Sequence, residues 1–194
     1  MEKRWVLKKQ GEKEDNEKLA NELNIDPVLA NLLVQRGVKT FDQAKAFFRP
    51  QLDDLYDPFL MKDMNLAIER IEKAIQTNEN ILIYGDYDVD GTTSVALVYS
   101  FLKEFYQNVG YYVPDRYSEG YGISLQGVQF AMDNEFTLVI ALDCGIKANE
   151  KIDFAKRNGI DFVICDHHFP GDELSHALAV LHKNRPDFIS PFTA

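Results

Sequence analysis

Three aspartates spaced by two, Asp86, Asp88 and Asp90, follow the apolar run Ile81-Leu82-Ile83-Tyr84-Gly85 and precede Gly91. Alternate residues of an extended chain point the same way, so these carboxylates can converge at the end of a strand. Clustered carboxylates repel one another, and a cation that neutralises them relieves the repulsion. The spacing therefore predicts a metal site. A calcium-binding EF-hand loop opens similarly, but its twelfth position must be glutamate, and here it is Leu97. That motif also follows a helix, whereas residues 81–84 read as a strand. Capping of a helix that starts near Thr92 accounts for one aspartate, not three.

Two further strand ends carry donors: Asp143 before Cys144-Gly145, and Asp166-His167-His168. Asp143 alone is commonly no more than a helix cap; its weight comes from sharing a rim with the others. Carboxylates with imidazole form a fairly hard ligand set that suits Mn²⁺ or Mg²⁺ better than a thiolate-loving metal. Bridging carboxylates can hold two ions about 3.5–4 Å apart, which supports in-line attack on phosphorus. No Ser-His-Asp set or Walker loop competes, and Gly120-Tyr121-Gly122 lacks the context of a dinucleotide fingerprint.

The elements that must position these groups alternate regularly. Strands are expected at 80–84, 109–113, 137–142, 160–164 and near 177–182. Helices are expected from Asp63 to near Asn78, from about Thr92 to Tyr106, and over 124–134 and 147–157. Short apolar strands between helices indicate an α/β fold, a mostly parallel sheet flanked by helices. Functional groups in such sheets collect beyond the carboxyl ends of the strands, where all three acidic clusters fall. Ahead of this lies a small helical appendage. Leu19, Leu23, Val28, Leu29, Leu32 and Leu33 recur at helical spacing, Asp26-Pro27 opens one helix, and Thr40 caps another through Phe47. Residues 1–15 read as a loosely ordered polar start and 49–61 as a connecting loop. The expected domains are 1–62, appendage and connector, and 63–194, catalytic.

Composition bounds the class. With 45% hydrophobic and 27% charged residues in 194, the chain can bury one sizeable core. No apolar run approaches the roughly 18 residues of a membrane span, and the charged start lacks a secretory apolar region. Cys144 and Cys165 fit neither a disulfide framework nor a zinc spacing, so a cytoplasmic location is expected. The net charge of −10 argues against a generic nucleic-acid clamp but not against an enzyme that handles phosphate through metal ions. Lys3, Arg4, Lys8, Lys9 and Lys13 read as a solvated basic tail.

The motifs Gly85-Asp86-Tyr87-Asp88-Val89-Asp90-Gly91, Asp143-Cys144-Gly145-Ile146 and Asp166-His167-His168 resemble the DHH phosphoesterase superfamily. Three further segments narrow the resemblance: Asp57 to Met64, Val113-Pro114-Asp115-Arg116 through Glu119-Gly120-Tyr121-Gly122, and the Lys3-Arg4-Trp5 start. Together they resemble the RecJ-type branch, bacterial 5′→3′ exonucleases specific for single-stranded DNA that serve recombination and repair. The resemblance implies Mn²⁺ or Mg²⁺, two ions in the complete enzyme, held by Asp86, Asp88, Asp143 and His167. It implies a catalytic role for His168 at the scissile phosphate, with Asp90 supporting the turn, and a DNA-phosphate contact for Arg116. A surface ion pair with Glu119 is the alternative for Arg116. Single-strand-binding protein is the implied partner. Tyr84 and Cys144 depart from the histidine and asparagine that many relatives carry, and the first could reshape a metal position. The family's fourth metal-binding motif and later domains are not in these 194 residues, so a weakly active or inactive N-terminal portion is expected. A relative that acts on nanoRNA or another small phosphorylated substrate is the alternative.

Overall fold

The computed structural model describes residues 4–185, 187 and 188. Lys3, where the basic start begins, and the last residues of the expected catalytic domain lie outside the described residues. The chain divides into two compact units that meet between Leu55 and Tyr56. Residues 56–62 therefore go with the larger unit, where Lys62 Nζ reaches Asp187 Oδ2 at 2.6 Å.

The smaller unit contains α1 (Lys13–Leu23), α2 (Pro27–Val34) and α3 (Phe41–Phe48). Asp26 accepts from Val28 N and Thr40 from Gln43 N, so α2 and α3 start where their capping residues predict. Leu19, Ala30, Leu33, Val34 and Ala44 close its core. Helix α1 opens at Lys13, earlier than the apolar spacing suggests, and residues 8–11 are not a free tail. Lys8 Nζ and Gln35 Nε2 bond across to the backbones of Gln35 and Lys9, and Gly11 N donates to Asn31 Oδ1.

The larger unit begins with α4 (Met64–Gln76). It continues through β1 (Asn80–Gly85), α5 (Val89–Lys103), β2 (Val109–Tyr112), α6 (Leu125–Asp133), β3 (Phe136–Leu142), α7 (Asn149–Arg157), β4 (Asp161–Cys165) and β5 (Ala179–Leu181). The five strands form one parallel sheet in the order β2-β1-β3-β4-β5. Successive side chains of a strand face opposite ways, and both faces are covered. Ile81, Ile83, Leu138, Ile140 and Val163 pack under α4 and α5. Leu82, Tyr84, Val139, Phe162 and Ile164 pack under α6 and α7. From β1 the chain steps outward to β2, then returns to place β3 on the other side of β1. The strand ends therefore splay between Gly85 and Leu142, the position where open α/β sheets bind ligands.

Two polar ties hold α4 to the sheet. Arg70, nearly buried, pairs with Glu79 and with Asp161 at the start of β4. Asp63 does not cap α4; its carboxylate instead takes Val180 N and the Arg185 guanidinium. Helix α5 starts at Val89 rather than near Thr92. The cause is Asp88, whose Oδ1 accepts from Gly91 N at 2.9 Å and fixes the first turn.

Candidate metal centre

Asp86 leaves the end of β1 fully buried. Its Oδ1 accepts from Gly122 N at 3.0 Å, and its Oδ2 is buried without a hydrogen-bond partner. The first turn of α5 lies hard against it, because a Cβ on Gly91 would come within 2.4 Å of the Asp86 carbonyl oxygen. Only glycine permits that approach. Asp143, at the end of neighbouring β3, adopts a left-handed backbone with φ 59°. This conformation is uncommon outside glycine and most accessible to Asn and Asp. It sets Asp143 Oδ1 3.0 Å from His167 Nε2 and leaves Oδ2 buried and unpartnered. Burial and the neighbouring charge of Asp88 push the Asp143 carboxyl up, against the pull of His167 and His168.

The end of β4 supplies the rest. Asp166 is buried, and its oxygens accept from Ile146 N at 3.0 Å, His168 N at 2.9 Å and His168 Nδ1 at 2.8 Å. Burial opposes its ionisation, yet these hydrogen bonds outweigh burial and hold the carboxyl below its ordinary range. An ionised Asp166 accepts only, so it places the proton on His168 Nδ1 and turns Nε2 toward Tyr121, whose hydroxyl is 3.0 Å away. One donor atom from each of Asp143, His167 and His168 lies within 4.8 Å of the others. Asp88 sits beside Asp143 while capping α5, and Asp86 stands on the same rim.

Of the residues singled out by sequence, His168 therefore joins the compact donor cluster, while Asp86 and Asp88 are spoken for in part by Gly122 N and Gly91 N. Asp90 is exposed in the first turn of α5, facing the same hollow as Asp143 and His167. Asp88, not Asp90, makes the hydrogen bond that supports the turn. Arg116 forms no ion pair with Glu119. Glu119 is committed to Tyr112 Oη, Asp115 N and Ser124 Oγ, and the guanidinium lies 5.3 Å from the Tyr87 ring centre. Tyr87 meets Tyr121 edge to face, and Tyr121 meets His168 likewise, so an aromatic line joins Arg116 to the centre.

Tyr121 and Gly122 carry no role in the sequence reading, because no periodicity marks a loop that closes on a distant strand end, and Asp166 enters it only as one of the strand-end donors, not as the group that orients His168. Tyr84 does not open a gap in the site. Its ring is buried under α6, its hydroxyl donates to Gly122 O and accepts from Ser124 N, each at 3.0 Å, and it thereby steadies the loop that holds Asp86. Cys144 is buried, its thiol pushed well up by burial, and Cys165 is pushed up to about 12 for the same reason. Neither is poised as a thiolate ligand.

The model of the DHH family, N-terminal domain, matches residues 80–191. The chain belongs to the DHH family. It is 40% identical, over 97% of its length, to the single-stranded-DNA-specific exonuclease RecJ of Bacillus subtilis, covering 24% of that protein. It is 30% identical to the Escherichia coli exonuclease of the same name over 84% of its length, covering 28% of that protein. The chain thus spans about a quarter of the length of these curated relatives. A crystal structure of exonuclease RecJ bound to manganese matches with a TM-score of 0.62 at 29% identity, over 69% of this chain and 34% of that one. RecJ from Thermus thermophilus in complex with Mn²⁺ matches at 0.66 over 90% of this chain and 24% of that one; at 24% identity it speaks for the fold alone. Among the described residues, no helix is long and apolar enough to cross a membrane.

Proposed function

We propose that this chain carries the hydrolytic centre of a metal-dependent exonuclease that releases nucleotides from the 5′ end of single-stranded DNA. The observation that carries the reading is the pair of buried, unpartnered carboxylate oxygens, Asp86 Oδ2 and Asp143 Oδ2. They stand on adjacent strand ends beside two imidazoles. Buried acceptors without partners are costly, and anionic ones more so; a divalent cation satisfies both. The oxygen and imidazole donors fit Mn²⁺ or Mg²⁺, and the related exonuclease structure holds manganese.

Asp86, Asp88, Asp143 and His167 would hold the metal, two ions in the complete enzyme. Bound there, the metal supplies an activated water and neutralises charge on the phosphoryl oxygens. The remaining work belongs to the chain. Asp166 orients His168 through Nδ1, so that Nε2, when it carries a proton, would donate to a scissile phosphate once Tyr121 yields it. Arg116, exposed and without an acidic partner among the described residues, would receive a backbone phosphate, a task that suits its planar fork of donors.

The test uses the natural full-length protein with Mn²⁺. Mononucleotide release should be fastest from 5′-phosphorylated single strands, slower from duplex, and lost on Asp143→Asn. Preferential cleavage of a dinucleotide would instead favour the small-substrate alternative, and no metal-dependent release would sink both. The same reading places the protein in recombination and repair in the cytoplasm, with single-strand-binding protein as partner. Co-purification with that protein and sensitivity of a deletion strain to DNA damage test this.

A further inference from the structure

A second hollow, of about 380 Å³, is lined by Tyr121 and His168 but not by Asp143 or His167. Its lining includes Tyr121, Ile123, Ile146, Lys147, Lys151 and His168. We propose that this hollow is a nucleotide subsite in which Lys147 and Lys151 receive a backbone phosphate next to the one at His168, with the exposed Tyr121 ring facing the sugar or base. The proposal rests on the exonuclease reading above.

Four observations carry it. The volume lies at the small end of the roughly 300–1,000 Å³ typical of ligand sites, suited to a single nucleotide unit. Neither lysine ammonium has a hydrogen bond or ion pair among the described residues, so both are available to a ligand in the hollow they line. In a chain of net charge −10, two unpaired cations on one hollow are a local reversal of sign. Asp166, the one acid on the lining, is turned toward Ile146 N, His168 N and His168 Nδ1 and makes no ion pair with either lysine. Finally, His168 and Tyr121 form a wall shared with the metal centre, so an occupant lies beside the reacting phosphate. The Tyr121 ring offers a sequence-tolerant stacking face, as single-strand binding requires.

The experiment measures equilibrium binding of a 5′-phosphorylated single-stranded oligonucleotide to the full-length protein in EDTA, which prevents cleavage, across a salt series. Lys147→Ala/Lys151→Ala should weaken binding roughly tenfold. It should also lower the slope of log K against log salt by about 0.7, one single-strand phosphate contact. In Mn²⁺ the same variant should raise KM with little change in kcat. Lys147→Arg/Lys151→Arg should restore binding, and Lys156→Ala/Arg157→Ala, at the far end of α7, should leave it unchanged. Wild-type affinity and slope in the Lys147/Lys151 alanine variant would overturn the subsite while leaving the exonuclease reading intact. So would an equal loss in the Lys156/Arg157 control, which would mark a general charge effect. If the unaltered protein neither binds nor cleaves single strands, the exonuclease reading fails and the subsite with it.

Discussion

Tyr84 and Asp166 act on the candidate centre through other groups. Tyr84→Phe keeps the ring but deprives Ser124 N and Gly122 O of their partner. Stranding buried backbone groups costs about 1–3 kcal/mol, and the loosened loop should also weaken Mn²⁺ binding through Gly122 and Asp86. Urea unfolding and calorimetric titration of Mn²⁺ check both; an unchanged unfolding midpoint would refute the account of Tyr84. Asp166→Asn removes the charge that orients His168 and keeps its size. Outer-shell losses of this kind typically cost about 10–100-fold in activity or metal affinity, and steady-state rates per folded enzyme should show that drop; because Ile146 N or His168 N then faces an amide, stability should also fall by about 1–3 kcal/mol.

At the scale of elements, the centre depends on α5 lying against the end of β1 and on α4 being tied to the sheet. Gly91→Ala places a Cβ 2.4 Å from the Asp86 carbonyl oxygen, and no flexible side chain can give way there. Overpacking of this kind costs about 1–3 kcal/mol, and the displaced Asp86 should weaken Mn²⁺ binding. Wild-type stability and Mn²⁺ affinity together would show that the turn has room to spare. Arg70→Met removes the cation that Glu79 and Asp161 share. Because both acids retain some exposure, the loss should be about 2–3 kcal/mol in urea unfolding, toward the lower end for a broken buried pair.

For the whole molecule, several carboxyls are held below their ordinary range. Burial opposes ionisation of Glu119 and Asp166, but hydrogen bonds from Ser124, Asp115 N and Tyr112 prevail at Glu119, and those from Ile146 N and His168 prevail at Asp166. Asp187 is held low by the Arg185 and Lys62 hydrogen bonds. A depressed carboxyl contributes stability that is present above its unfolded value, 4.5 for Glu119 and 3.8 for the aspartates, and is lost as pH falls through the folded value. Stability should therefore fall steadily below about pH 4.5, and Glu119→Gln should flatten that acid limb. Thermal unfolding measured across this range decides it; an unchanged limb in the variant would mean that Glu119 is not held low.

Much of this architecture is legible in local chemistry. Asp26-Pro27 and Thr40 announce helix starts because capping is satisfied within three residues. The apolar runs at 81–84, 138–142 and 162–164 announce buried parallel strands because both sheet faces exclude water. One of the three aspartates does cap α5, but it is Asp88 and the helix opens at Val89 rather than near Thr92, so the cap stands on the site rim.

By itself the sequence determined the α/β alternation, the carboxylates and imidazoles at strand ends, and the motifs of the DHH family, because these follow from residue type and short-range spacing. Only the tertiary structure decided which donors meet. The order β2-β1-β3-β4-β5 brings Asp86 and Asp143 side by side, the left-handed backbone of Asp143 aims it at His167, and the loop at Tyr121 and Gly122 closes on both Asp86 and His168. Those pairings join residues far apart in the chain, and only the packed sheet fixes their distances.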